Sequence, residues 1–132
     1  MIIPSVFNIT QREFDNSENI YKILIHDDSI TFGFFELNNK NYYISWISQD
    51  IIKVELKLIE EDNYLLVGVD LRAVVLCFKT GKILFSLGLF SYFKGFEDTN
   101  SLTFTIFSER ENIIVNKRGF SISQTITHDL EF

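Results

Sequence analysis

The chain has little of what small specialised domains are built from: one cysteine, one proline and six glycines in 132 residues. Cys77 is alone, so no intrachain disulfide can form, and its place in the run Val74-Val75-Leu76-Cys77-Phe78 makes it read as a small buried hydrophobe. With proline confined to Pro4 and glycine scarce, no flexible linker divides the sequence, and one domain over 1–132 is expected. Positive charge is also short, at 12 Lys and Arg against 18 Asp and Glu, for a formal charge of −6. Such a field repels phosphate backbones and anionic lipid headgroups, which argues against direct contact with nucleic acid or a membrane. The apolar runs fall far short of the roughly 20 residues that cross a bilayer. The opening MIIPSVFNIT has no basic segment ahead of an apolar stretch and does not read as a secretory signal, so a cytoplasmic location is the expectation.

Recognisable chemical motifs are missing too. There is no Gly-x-Ser-x-Gly elbow, Walker loop, Gly-x-Gly-x-x-Gly, Cys-x-x-Cys or His-Glu-x-x-His. His26 precedes Asp27 and Asp28, and His128 precedes Asp129. Imidazole beside carboxylate could hold zinc or form an oriented base if the fold joined the two histidines, but a solvated turn accounts for each. No catalytic residue, metal or cofactor is expected.

What the chain does have is apolar surface in strand-length pieces: 46% hydrophobic residues, with 14 Phe, 5 Tyr and Trp46. Polar clusters at 27–29, 38–41, 60–63, 79–82, 97–101, 109–112 and 116–119 separate these pieces, as turns separate the strands of an antiparallel meander. Ile52, Val54, Leu56 and Leu58 alternate with Lys53, Glu55 and Lys57, which predicts a strand with its charges on a solvent-facing side. Leu102, Phe104 and Ile106, and Phe120, Ile122, Gln124 and Ile126, alternate in the same way. Segments 64–69 and 73–78 flank Asp70-Leu71-Arg72 as a core hairpin, the second continuously apolar as in a strand buried on both faces, with 83–87 as its return strand. Three earlier strands are expected at 21–25, 30–37 and 42–47, and 30–35 resembles 102–107 as a degenerate repeat. Thr10 and Glu13 have capping-box spacing and Ile9 and Phe14 staple spacing, predicting a short N-terminal helix from Gln11 that Asn16 and Ser17 stop. The fold class is therefore all-β, eight to ten mostly antiparallel strands in a meander that forms a sandwich, an open barrel or blade-like sheets.

Leu66-Val67-Gly68-Val69-Asp70 followed by Phe78-Lys79-Thr80-Gly81-Lys82 resembles one blade of quinoprotein-type or Trp-Asp-type β-propellers. The likeness covers roughly 20 residues, and it implies blade-like hairpins rather than a closed propeller or a quinone cofactor.

Two kinds of residue are candidates for binding. Carboxylates cluster at Glu60, Glu61 and Asp62 and again at Glu109 and Glu111, in segments that read as turns. Aromatics crowd 85–96 around Gly88 and Gly95, with Phe90, Tyr92 and Phe93 as interface candidates that could equally fold back to close the end of the core. Tyr42, Tyr43 and Trp46 pose the same choice. The expectation is a non-enzymatic binding module, similar in general profile to small acidic bacterial toxin-immunity proteins, that neutralises a basic protein such as a nuclease toxin. A small-ligand barrel or hydrolase lined by the aromatics, and an accessory domain that assembles through an edge strand, stay open as alternatives.

Overall fold

The computed structural model describes residues 5–17, 22–24, 29–48 and 54–128. Within them the chain folds into three four-stranded sheets, none closed into a barrel. The first combines β1 (Phe7–Ile9), β2 (Lys22–Leu24), β3 (Thr31–Leu37) and β4 (Lys40–Trp46) in the order β1-β3-β4-β2, with β2 parallel to β4. The second is a plain antiparallel meander of β5 (Glu55–Ile59), β6 (Tyr64–Val69), β7 (Arg72–Cys77) and β8 (Ile83–Gly88). The third repeats that meander with β9 (Phe93–Glu97), β10 (Thr103–Ser108), β11 (Glu111–Asn116) and β12 (Ile122–Thr127). The all-β expectation holds, with twelve strands among the described residues rather than eight to ten.

The second sheet is the middle layer. Leu65, Val67, Val69, Val74 and Leu76 join Phe35, Tyr42, Ile44 and Trp46 of the first sheet in one core. The alternate residues Leu66, Ala73 and Val75 join Phe104, Ile106, Ile113 and Val115 of the third sheet in another. Burial on both faces is why β6 and β7 read as unbroken apolar runs, whereas β10 and β11, covered on one face, alternate. Gly68 lets the middle and third sheets close, since a Cβ there would fall inside the Phe93 ring, and within the first sheet a Cβ on Gly33 would lie 2.7 Å from Val6 Cγ1 and 3.0 Å from the Trp46 ring.

The local rules work where the signals are strong. Thr10 caps α1 (Gln11–Asn16) with both halves of the capping box, and Phe14 is buried against Phe32 with ring centroids 5.0 Å apart. Asn38 and Asn39 both take positive φ, 54° and 63°, and turn β3 into β4 in two residues, a geometry Asn tolerates through local hydrogen bonding.

Other expectations are corrected. Phe93 and Phe96, at the end of the aromatic stretch 85–96, lie with Glu97 in a regular strand, β9. Lys53 lies outside the described residues, and Glu55 and Lys57 are half-buried on the side of β5 turned toward the third sheet instead of facing solvent. Leu102 stays exposed before β10, and Phe120 leaves the alternation with φ 57° to stack on Phe85 at 5.4 Å. Cys77 is half-exposed at the end of β7 and belongs to neither core.

Candidate protein-binding surface

The site is built outward from the two-residue turn Asp70-Leu71, which links the paired residues Val69 and Arg72. Asp70 adopts φ 54°, a left-handed conformation that its short polar side chain can support. Its buried carboxylate accepts hydrogen bonds from the amides of Ile47 at 2.8 Å and Ser48 at 3.2 Å, fastening the end of β4 to the middle sheet. Its carbonyl accepts from Phe93 N at 2.7 Å, and the Leu71 carbonyl from Leu89 N at 2.8 Å. One turn therefore ties the first sheet, the middle sheet and the entry to the third.

Between Leu89 and Phe93 the chain alternates sharply in burial. Leu89 and Ser91 are buried, while Phe90 is 95% exposed and Tyr92 57% exposed. Ser91 fixes the loop: its hydroxyl donates to Ser108 Oγ at 2.8 Å and accepts from the Arg110 amide at 3.0 Å. Glu109 N donates to the Tyr92 carbonyl at 2.9 Å, and His128 N donates to Arg110 O at 2.6 Å, so the β10–β11 turn and the end of β12 close the same end of the molecule. Ile47 and Leu71 are exposed beside these anchors. The result is an apolar tip with polar neighbours, fastened by backbone and side-chain hydrogen bonds.

The candidate residues separate in space. Phe90, Tyr92, Glu109 and Glu111 share this end. Phe93 does not join them: its ring packs on Gly68 between sheets and against Phe96 at a centroid distance of 4.6 Å. Glu60, Glu61 and Asp62 form a single 3-10 turn before β6, and β6 carries the chain from there to Asp70, so the two acidic clusters lie about 20 Å apart, a six-residue strand's length, at opposite ends. Of the other aromatics, Tyr42 and Trp46 are core, and Tyr43 is half-buried against Phe34.

The far end holds a feature that sequence reasoning missed. Lys117, in a run that reads as an ordinary polar turn, is 2% exposed. Its ammonium lies 2.7 Å from Asp98 Oδ1 and 4.0 Å from Asp62 Oδ2, and its carbonyl accepts the Tyr64 hydroxyl at 2.8 Å. Burial, reinforced by the Asp62 carboxylate, pushes the Tyr64 phenol above its ordinary value. Part of the Glu60, Glu61, Asp62 cluster is thus engaged within the protein.

His26 lies outside the described residues, and the His128 ring contacts Asn112 Oδ1 at 2.8 Å. No group of three or more His, Cys, Asp or Glu among the described residues is placed to hold a metal ion, and no helix among them is long and apolar enough to cross a membrane. An open cleft of about 330 Å³ beside Ile23 and Tyr42 offers Lys22, Lys82 and Thr80 but no carboxylate or imidazole among its described lining residues. Near it, burial raises the Cys77 thiol, but hydrogen bonds from Thr80 and the Lys79 amide, with the Lys79 charge, outweigh that and lower it overall. No protein-family model matches the chain, and no curated protein matches it.

Proposed function

We propose that this protein is a binding module that docks a protein partner through the end of the sheet stack bearing Phe90 and Tyr92. The observation that carries the reading is Phe90, almost wholly solvated on a loop whose neighbours Leu89 and Ser91 are buried and hydrogen-bonded. Leaving a Phe side chain in water forgoes about 2 kcal/mol of burial, which a partner pocket recovers. The pinned loop has little entropy left to lose when it binds. The net charge of −6, with Glu109 and Glu111 at the same end, favours a basic partner and fits an inhibitor of the immunity type, in which long-range attraction speeds encounter and the aromatic anchors set the lifetime. The two successive four-stranded meanders also suit the propeller-blade resemblance of 66–82, a scaffold that presents loops at its strand ends.

A photo-crosslinking amino acid at position 90 would capture the partner for identification, and titration with the purified partner would follow. Phe90→Ala and Tyr92→Ala should each weaken binding about 30-fold, the loss of a hot-spot side chain worth ~2 kcal/mol, without lowering Tm. Added salt should weaken it further. Unchanged affinity in both variants would overturn the proposal.

A further inference from the structure

The outer face of the first sheet carries aromatics that the core does not use. Phe35, Tyr42, Ile44 and Trp46 point into the stack, so their neighbours Phe34 and Tyr43 point the other way. Phe7, Phe34 and Tyr43 stand opposite one another on β1, β3 and β4, with Lys22 of β2 next in the row. α1 covers part of this face through the buried Phe14, and the Lys22 ammonium lies over the Phe14 ring, 4.7 Å from its centroid. The face therefore already holds one cation of its own on an aromatic ring. Beside α1 lies an open cleft of about 390 Å³, lined by Ile9, Glu13, Asn16, Ser17, Phe34 and Tyr43. Phe34 and Tyr43 are half-buried, with ring centroids 5.5 Å apart and planes at 46°, so they make two walls of a wedge. Glu13 is the only charged residue among the described lining residues. The capping box positions it, because its Oε1 accepts from the Thr10 amide at 3.3 Å and the Thr10 hydroxyl at 3.1 Å. Two π faces and a fixed carboxylate thus border one cleft, in a chain whose formal charge of −6 adds a field of the same sign.

We infer that this cleft takes the guanidinium of an arginine side chain presented by a polypeptide. Charge and shape select that occupant together. A guanidinium is planar and weakly hydrated, so it stacks on an aromatic face while its in-plane N–H groups stay available to a carboxylate such as Glu13. A lysine ammonium brings the charge, but it is compact and strongly hydrated and stacks less well. A neutral apolar side chain gains the rings and nothing from Glu13, and an anion meets repulsion. The openness of the cleft suits a side chain reaching in from a longer chain. Phe34 and Tyr43 lie in the middle of β3 and β4, so this site is separate from the strand-end loop bearing Phe90 and does not rest on it.

The test is two-dimensional NMR of the full chain titrated with N-acetyl-arginine amide, beside its lysine and citrulline counterparts and free arginine. Citrulline keeps the shape of arginine without its charge, and free arginine carries a carboxylate that the negative field repels. The expected result is saturable shifts at the residues lining the cleft, with a dissociation constant in the millimolar range. Binding should be roughly fivefold weaker for the lysine amide and for free arginine, and absent for the citrulline amide. Glu13→Gln keeps an acceptor for the capping box while deleting the charge, so it should weaken binding about fivefold with α1 intact. Phe90→Ala should leave the titration unchanged, which separates this site from the proposed partner surface. Citrulline, lysine or free arginine binding as tightly as the capped arginine would overturn the inference. Undiminished affinity in Glu13→Gln, shifts centred on the Phe90 loop, or no saturable binding would do the same.

Discussion

The ring of Phe93 on β9 occupies the space that any side chain at Gly68 on β6 would need: an added Cβ would fall inside the ring, against Cζ, Cε1 and Cε2. This pair sets how closely the third sheet approaches the middle one. Because Phe93 N also donates to the Asp70 carbonyl, it fixes where the Phe90 loop begins.

Gly68→Ala should therefore cost roughly 3 kcal/mol, the upper range of overpacking, since the new methyl would fall inside the ring. Phe93→Ala should cost a similar amount through the cavity it leaves. In the double variant the new methyl enters that cavity, so chemical denaturation should give a loss smaller than the sum by 1 kcal/mol or more. Strict additivity would show that the two residues do not meet.

The Lys117 ammonium is buried and answered by two carboxylates. Asp98→Ala strands that charge and should destabilise the fold by about 3 kcal/mol. Lys117→Met removes the charge and keeps the packing of the stem, so urea denaturation should show a smaller loss than Asp98→Ala, even though it deletes the same contact.

Tyr64 gives a dependence on alkaline pH. Its folded phenol titrates above the ordinary value of 10.0, because burial and then the Asp62 charge disfavour phenolate. The unfolded chain loses this proton first, so the contribution of Tyr64 is complete below about pH 10 and fades as pH rises through the folded value. Phenolate absorbance should include a late-titrating component from Tyr64. Tyr64→Phe, which deletes the hydroxyl bond to the Lys117 carbonyl, should cost about 1 kcal/mol at neutral pH and remove that component.

Cys77 should react with a thiol reagent in the folded protein, since it is half-exposed at the strand end. Its rate should rise with pH about a midpoint below the ordinary 9.0, because the Thr80 and Lys79 interactions overcome burial. Thr80→Val removes the hydroxyl bond and should move the midpoint upward. A thiol that reacts only on unfolding would contradict this placement.

Much of this fold is legible in the sequence because its signals are local. Capping-box spacing fixes α1, paired asparagines fix the β3–β4 turn, and strict alternation marks β10 and the regular half of β12, all through interactions within a few residues of chain. The unbroken apolar runs of β6 and β7 even disclose a sheet covered on both faces. The candidate surface was legible only in part: Phe90 and Tyr92 could be named, but not told apart from Phe93, which has the same composition and the same neighbours in sequence.

What the tertiary structure alone decides is what each face and each turn meets. The burial of Phe93 depends on Gly68, 25 positions away, that of Lys117 on Asp98 and Asp62, and the exposure of Phe90 on the hydrogen bonds that Ser91 donates to Ser108 and accepts from the Arg110 amide. Sequence alone determined an acidic all-β chain with acidic turns and clustered aromatics. Stacking three sheets determined that Glu60, Glu61 and Asp62 lie at one end and Glu109 and Glu111 at the other, because strand direction, which no residue encodes by itself, assigns each turn to an end.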